Sequence, residues 1–310
     1  AARFTSDGWD RVTSSVLERE GGNETLTFAY DTLDNVVSQS SSLGDASPAH
    51  VGDYSYDSSR PNAVKTAGSL AFQYDTAGFL STRGSAGYEF DHLGRMTRAT
   101  SDGAETGTFF FGAGQSRVLK QEGALSALTV TPDFEVRDGI AVIYARLSGM
   151  RVARFESDAI AATVLSDLSP LTGATPTGDG TIDIADAWVA QAASSGVVSL
   201  SGGPAPSKVE TLLASAARRL LLQDVTWLHA DHLGSLVAAT DGKGVLVAEQ
   251  SFHAWGETRS SSGFVDTHGF TSQERDPSTG FVHFQYRDLD PKTGRWASVD
   301  PLFDSLTPSS

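Results

Sequence analysis

The stretch Trp227–Leu302 reads WLHADHLGSLVAATDGKGVLVAEQSFHAWGETR over 227–259 and, after a short polar break, GFTSQERDPSTGFVHFQYRDLDPKTGRWASVDPL over 269–302. One grammar runs through it: a few alternating residues, an Asp, a Gly three or four positions on, then alternation again. Asp231 with Gly234, Asp241 with Gly244, Asp276 with Gly280 and Asp290 with Gly294 mark four turns. At each, the carboxylate can accept backbone N–H groups just ahead, Pro277 and Pro291 set φ at a turn's second residue, and Gly supplies the positive φ that closes the connection. Between the turns, the strand period of two puts Val282, Phe284, Tyr286 and Asp288 on one face and Phe281, His283, Gln285 and Arg287 on the other. One face is nearly all apolar or aromatic, so the stretch reads as β-hairpins in series with one side buried.

Working outward, residues 1–120 repeat the pattern with looser spelling. TLTFAYDTLDNVVS around Asp31, DYSYDSSRPNAVKTAG around Asp57, LAFQYDTAGFLS around Asp75 and YEFDHLGRMTR around Asp91 each place two aromatics two apart before an Asp and a turn. Paired aromatics such as Phe28 and Tyr30 share a face and predict wall packing between strands rather than a stacking platform for ligands. Asp34 stands where a turn Gly is expected and Arg60-Pro61 replaces it in the Asp57 copy, so both turns are expected to be wider. Asp138-Gly139, flanked by Phe134, Val136, Ile140, Val142 and Tyr144, is a short hairpin signal.

As an ordered set, these turn motifs ending at Trp296 and Asp300-Pro301 resemble the C-terminal repeats and associated core of the RHS/YD-repeat family. That family includes bacterial polymorphic toxins, toxin-complex cocoon subunits and, more distantly, animal teneurins. The resemblance implies an all-β fold, a long antiparallel hairpin sheet spiralling into a hollow shell, with a small α-helical insertion in this chain. Four segments are expected: a YD-repeat sheet over 1–156, a helical insertion over 157–223, a core region over 224–302 and a tail over 303–310. Strands near Arg151–Phe155 and Val225–His229 should then be neighbours despite the insertion between them.

The chain has 310 residues, enough for a sizeable core, but shells of the resembled family are built from much longer chains. It opens on Ala1 and closes on LTPSS, which reads as a piece of a longer polypeptide. With no cysteine, disulfides, thiol nucleophiles and thiolate metal sites are excluded. No apolar run approaches the roughly 20 residues that span a bilayer. A net charge of −15 with scattered Lys and Arg argues against nucleic-acid binding.

Residues 157–223 shift in composition to Ala, Ser, Gly and Leu. Ser207-Lys-Val-Glu210 is a capping box opening a helix whose Val209, Leu212, Leu213, Ala216 and Leu220 share a face. Ahead of it, ATPTGDGTIDIADAWVAQAAS resembles a dockerin or EF-hand calcium loop. Counting from Thr175, the ligand positions fall on Thr177, Asp179, the carbonyl of Thr181, Asp183 and Asp186, with Gly180 at the bend. Thr at two expected ligand positions leaves three carboxylates, so the only cofactor read here is calcium, held weakly.

His229-Ala-Asp-His232 carries metal-type donors, but residues three apart on a strand face opposite sides. The sharper chemical idea is self-cleavage, which the resemblance implies for several bacterial relatives through paired aspartates at the end of the core. Asp288, Asp290 and Asp300 are the weak candidates, since Phe303 replaces the Gly of the DPxG motif and a second Asp motif is missing. Three readings follow: a noncatalytic shell segment that encloses or presents cargo outside the cell or at its surface, the shell part of a self-cleaving toxin, and a self-assembling extracellular filament or surface protein. The expected partners are the rest of a longer RHS chain or further copies of this one, with an enclosed polypeptide cargo. Asp231, Gly234, Asp276, Gly280, Asp290 and Gly294 are assigned to structural turns.

Overall fold

The computed structural model describes residues 2–18, 22–112, 116–157, 225–263 and 267–301. Among them the architecture is all-β: twenty strands carry antiparallel meanders and four short strands form a separate set. The chain divides into two compact units, one of residues 1–104, 251–260 and 280–310, the other of residues 105–250 and 261–279.

In the first unit ten strands run from Ala2–Ser6 to Met96–Ser101, each antiparallel to the next. Sequence neighbours pair because the turns are short, which keeps the loop-closure cost small. The first aromatic of each pair, Phe28, Tyr54, Phe72 or Tyr88, is buried in the wall. The second sits at or beside a register shift, as at Ala29/Tyr30, Ser55/Tyr56 and Gln73/Tyr74. There it reaches back along the sheet: the Tyr30 hydroxyl donates to the Val12 carbonyl at 2.8 Å, and that of Tyr56 to the Val36 carbonyl at 2.6 Å.

The register shift follows from the turn. In Asp31–Asn35 the Asp31 carboxylate accepts the N–H of Leu33 and Asn35, Asp34 N–H donates to the Asp31 carbonyl, and Asp34 takes φ +63°. This is a tight turn followed by a left-handed residue, which bulges the strand. Gly78 and Gly94 fill the same place after Asp75 and Asp91 with φ of +87° and +74°. The turn at Asp34 is therefore no wider than the glycine versions, because Asp tolerates the left-handed region better than most side chains. The Asp57 turn is wider, closing from Asp57 N–H to the Ala63 carbonyl.

Since each turn reverses the chain, alternate turns share an edge of the sheet, and the turns at Asp7, Asp31, Asp57, Asp75 and Asp91 lie on one edge. Side chains lace them in series. Arg11 donates to the Asp31 carbonyl at 3.2 Å and to the Asp34 carboxylate at 2.7 Å, Asn35 to the Pro61 carbonyl at 3.1 Å, and Arg60 to the Asp75 carbonyl at 3.2 Å.

The second unit is a nine-strand meander from Ala104–Phe111 to Leu246–Phe252. Asp138 and Gly139, at φ +49° and +80°, close the hairpin that pairs Arg137 with Ile140. Adjacent residues Ala141 and Val142 belong to different clusters, one with Leu119, Leu128 and Val136, the other with Tyr144, Leu228 and Leu236. Both faces of that strand are thus buried. The strands Met150–Ser157 and Val225–Ala230 pair directly, with Ala153 opposite Trp227 and Phe155 opposite Val225. The ends of the 67-residue interval between them meet on adjacent strands, while the helix at Ser207 and the loop at Thr175 lie outside the described residues.

One expectation is corrected. Residues 281–288 do not form a continuous strand: Val282–Phe284 and Arg287–Asp290 are a hairpin, with Gln285 and Tyr286 at its tip. Tyr286 is therefore 51% exposed rather than on a buried face, and Trp296, packed edge-on to Phe284, is still 38% exposed. Phe281 and Val282 are the buried members, Phe281 lying against Tyr88 at 5.0 Å between ring centres.

Candidate functional site: the buried carboxylates of the C-terminal stretch

The two turns spelled Asp-Pro-x-Thr-Gly, 276–280 and 290–294, each bury their aspartate to 2% exposure. Asp290 combines two roles. Its carboxylate accepts the Lys292 N–H at 3.1 Å and the Thr293 hydroxyl at 2.8 Å, bracing a turn that the Gly294 N–H closes on the Asp290 carbonyl at 2.8 Å, with Gly294 at φ +69°. It also forms an ion pair with Arg83 from the sheet at 2.9 Å. The Arg83 guanidinium lies over the Phe281 ring at 4.6 Å, so one arginine holds both the turn and the buried aromatic. Beside it, the Tyr54 hydroxyl donates to Gln39 at 3.2 Å, and the Gln39 amide donates to the Ala49 carbonyl at 2.9 Å. Burial pushes the Tyr54 and Tyr88 hydroxyls up, so both stay protonated.

Asp276 departs from its sequence reading. The turn closes through its backbone, Thr279 N–H to the Asp276 carbonyl at 3.3 Å, with Gly280 at φ +73°. Its carboxylate points instead at the sheet, where Arg117 grips both oxygens at 2.6 and 2.9 Å and Lys120 adds a third contact at 3.1 Å. Glu274, two residues earlier, accepts Arg117 at 2.6 Å, Lys120 at 3.0 Å and Arg137 at 2.6 Å. Arg137 also pairs with Glu135 at 2.6 Å, and Lys120 with Glu122 at 2.8 Å. The other Glu122 oxygen takes the Ser278 N–H at 2.9 Å and hydroxyl at 2.6 Å. Ser278 comes so close that a Cβ on Gly107 would lie 2.6 Å from its hydroxyl oxygen, which explains a glycine inside that strand.

Three cations and four carboxylates therefore interlock, all of them mostly buried. Burial by itself would raise Glu274, but Lys120, Arg117 and Arg137 outweigh it and hold the carboxyl well below its usual range. Asp276 is likewise held down, Arg117 and Lys120 overcoming burial and the nearby Glu274. The same pairs hold Lys120 and Arg137 up against the downward pull of burial. Both carboxyls are ionised at neutral pH, so they are not a proton-sharing acid and base. At the end of this network the His268 ring lies 3.4 Å from the Tyr144 hydroxyl and 3.9 Å from Glu135.

The other assigned residues fall as follows. Asp288 is buried and paired with His283 across the hairpin at 2.8 Å, and Asp300, partly exposed, pairs with Arg287 at 3.0 Å. The three aspartates considered for cleavage, Asp288, Asp290 and Asp300, thus each meet a histidine or an arginine. Asp231 accepts the N–H of Leu233 at 2.9 Å and of Ser235 at 2.8 Å, with Gly234 at φ +82°. Asp179, Thr181, Asp183 and Asp186 lie outside the described residues. Sequence reasoning missed Arg83, Arg117, Lys120, Glu122, Glu135, Arg137 and Glu274. Their one available signal was a charged residue at an inward-facing strand position. Two further turns of the same grammar were also passed over, at Asp7–Arg11 and at His253–Glu257, where His253 replaces the Asp and Gly256 keeps φ +92°.

The teneurin YD-shell family model matches residues 10–130 and 223–310. No curated protein matches the chain. Among solved structures, TcdB2-TccC3-Cdc42 aligns at a TM-score of 0.63 and 14% identity over 97% of this chain and 14% of that one. TcdB2-TccC3-TEV aligns at 0.59 with the same identity and coverage. This chain spans 14% of the length of each, and at that identity the likeness is one of fold.

Proposed function

The chain belongs to the teneurin YD-shell family, and from that premise we propose that it is a noncatalytic segment of a β shell that encloses or presents polypeptide cargo outside the cell or at its surface. The observation that carries this reading is the commitment of Asp276 and Asp290 to sheet arginines, which spends the buried carboxylates on holding the C-terminal stretch against the wall. A shell segment needs that closure and needs no turnover. The cargo reading draws support from the two solved structures above, which name the same TcdB2-TccC3 pair with different third components, Cdc42 and TEV. The partner on this reading is the remainder of a longer shell chain. Among the described residues no helix is long and apolar enough to cross a membrane.

A reporter domain fused after Ser310 tests the reading. Intact mass should remain that of the uncut fusion through prolonged incubation. Release of the reporter, abolished by Asp290→Asn or Asp300→Asn, would instead establish the self-cleaving toxin-shell alternative. The insertion's loop with Asp179, Thr181, Asp183 and Asp186 is proposed as a weak calcium site, and calorimetric titration without heat at millimolar calcium would remove it.

A further inference from the structure

Away from the Arg117–Lys120–Arg137 charge cluster, the second unit carries a buried cation that no acid answers among the described residues. Arg146 and Arg151 face each other across the hairpin Ile140–Leu147/Met150–Ser157. Like charges opposite one another on a sheet repel. Both guanidinium groups also turn to one acceptor, the Pro132 carbonyl, Arg151 at 3.1 Å and Arg146 at 3.4 Å. The carboxylate beside that carbonyl, Asp133, is engaged by Arg146, which donates further to the Gly149 carbonyl at 3.0 Å. Arg151 is left with the face of Tyr144, whose ring centre lies 4.1 Å from its guanidinium carbon. Arg151 as a whole is only 6% exposed, and its Nε and Nη1 are buried and donate to nothing among the described residues.

Every other strongly buried cation of this unit that was described above, Arg117, Lys120 and Arg137, has at least two carboxylate contacts. A buried charge without a counter-ion is costly, and hydrogen bonds to a charged donor are among the stronger ones. We propose that Arg151 and Arg146, with the Tyr144 ring and the Pro132–Asp133 turn, form a binding site for a small oxyanion, a carboxylate or a phosphate-type group. The anion accepts from Nε and Nη1 of Arg151 and offsets the charge that Asp133 leaves unbalanced. Arg146 is the entry side, since its side chain is 36% exposed. Because the whole chain carries −15, anions are not drawn to it in general, and any binding reports this local excess of positive charge.

The test is thermal unfolding of the full chain in sodium phosphate, sodium acetate and sodium chloride at equal ionic strength. Phosphate or acetate should raise the melting temperature above chloride in a saturable manner, and the two arms distinguish a phosphate-type ligand from a carboxylate. Arg151→Met should abolish the rise, and Arg146→Met should weaken the apparent affinity by about tenfold. No rise above chloride with either anion, or a rise that survives Arg151→Met, overturns the proposal. If Arg151→Met does not fold, Arg146→Met decides: weakened affinity supports the site and unchanged affinity overturns it.

Discussion

The turns 276–280 and 290–294 share the spelling Asp-Pro-x-Thr-Gly and the burial of their aspartate, yet their carboxylates are used differently. At Asp290 the backbone closes the turn, Gly294 N–H to the Asp290 carbonyl at 2.8 Å, and the carboxylate both braces it, through Thr293 and Lys292, and pairs with a single arginine. At Asp276 the backbone closes the turn and the carboxylate belongs wholly to a seven-member charge cluster. The difference teaches that a turn motif fixes the backbone path, whereas the partner across the gap decides what its acid does. A self-satisfied turn acid needs one cation; a freed acid recruits a network.

The comparison breaks hardest at the network. Arg117→Met leaves Asp276 and Glu274 short of a cation in a buried site and should cost about 3–5 kcal/mol in chemical denaturation. Arg83→Met should cost less, about 1.5–3 kcal/mol, because Asp290 keeps its Thr293 and Lys292 hydrogen bonds. Equal losses would mean that the two acids are held alike.

Acid separates them next. Glu274 and Asp276 titrate below their unfolded values of 4.5 and 3.8. The unfolded chain therefore binds protons first as pH falls, so their stabilisation is full above the unfolded values and is lost as pH drops through the folded ones. Melting temperature should decline below about pH 4.5 in the native chain and decline less steeply in Glu274→Gln. A slope unchanged by Glu274→Gln would remove the cluster from the acid response.

The threonines sharpen the contrast at smaller scale. Thr293 donates to the Asp290 carboxylate at 2.8 Å, whereas Thr279 donates to the Asp276 carbonyl at 3.5 Å. Thr293→Val should cost about 1–2 kcal/mol, read from denaturation midpoints, because it takes a donor from a buried carboxylate. Smallest of all is Tyr286→Ala at the exposed hairpin tip, expected to shift stability by no more than about 0.5 kcal/mol.

What the sequence made legible was local. Alternation and the Asp-to-Gly spacing located most hairpins, and the family resemblance set a strand near Arg151–Phe155 beside one near Val225–His229, where Phe155 faces Val225. Asp34 was read as a departure because the pattern was stated as glycine, when its physical requirement is a residue that tolerates positive φ. Tyr286 was misplaced because an alternating run looks the same whether the chain continues or folds back, and Gln285-Tyr286 carries no Gly, Asn or Asp to announce a turn. The charge cluster around Asp276 was illegible for a deeper reason. Lys120 and Asp276 are 156 residues apart, and nothing in either local sequence says which of 23 basic side chains will meet which acid. His253 hid a turn by substituting for the Asp that the eye was following.

The most direct test of the structural commitment of these carboxylates is a double-mutant cycle on Arg117 and Asp276, with Arg117→Met, Asp276→Asn and the pair measured by urea unfolding. The account predicts that each single change costs about 3–5 kcal/mol and that the double costs well below their sum, since removing both charges leaves neither uncompensated. Strict additivity would contradict it, because the carboxylate would then be independent of the arginine that the fold sets against it.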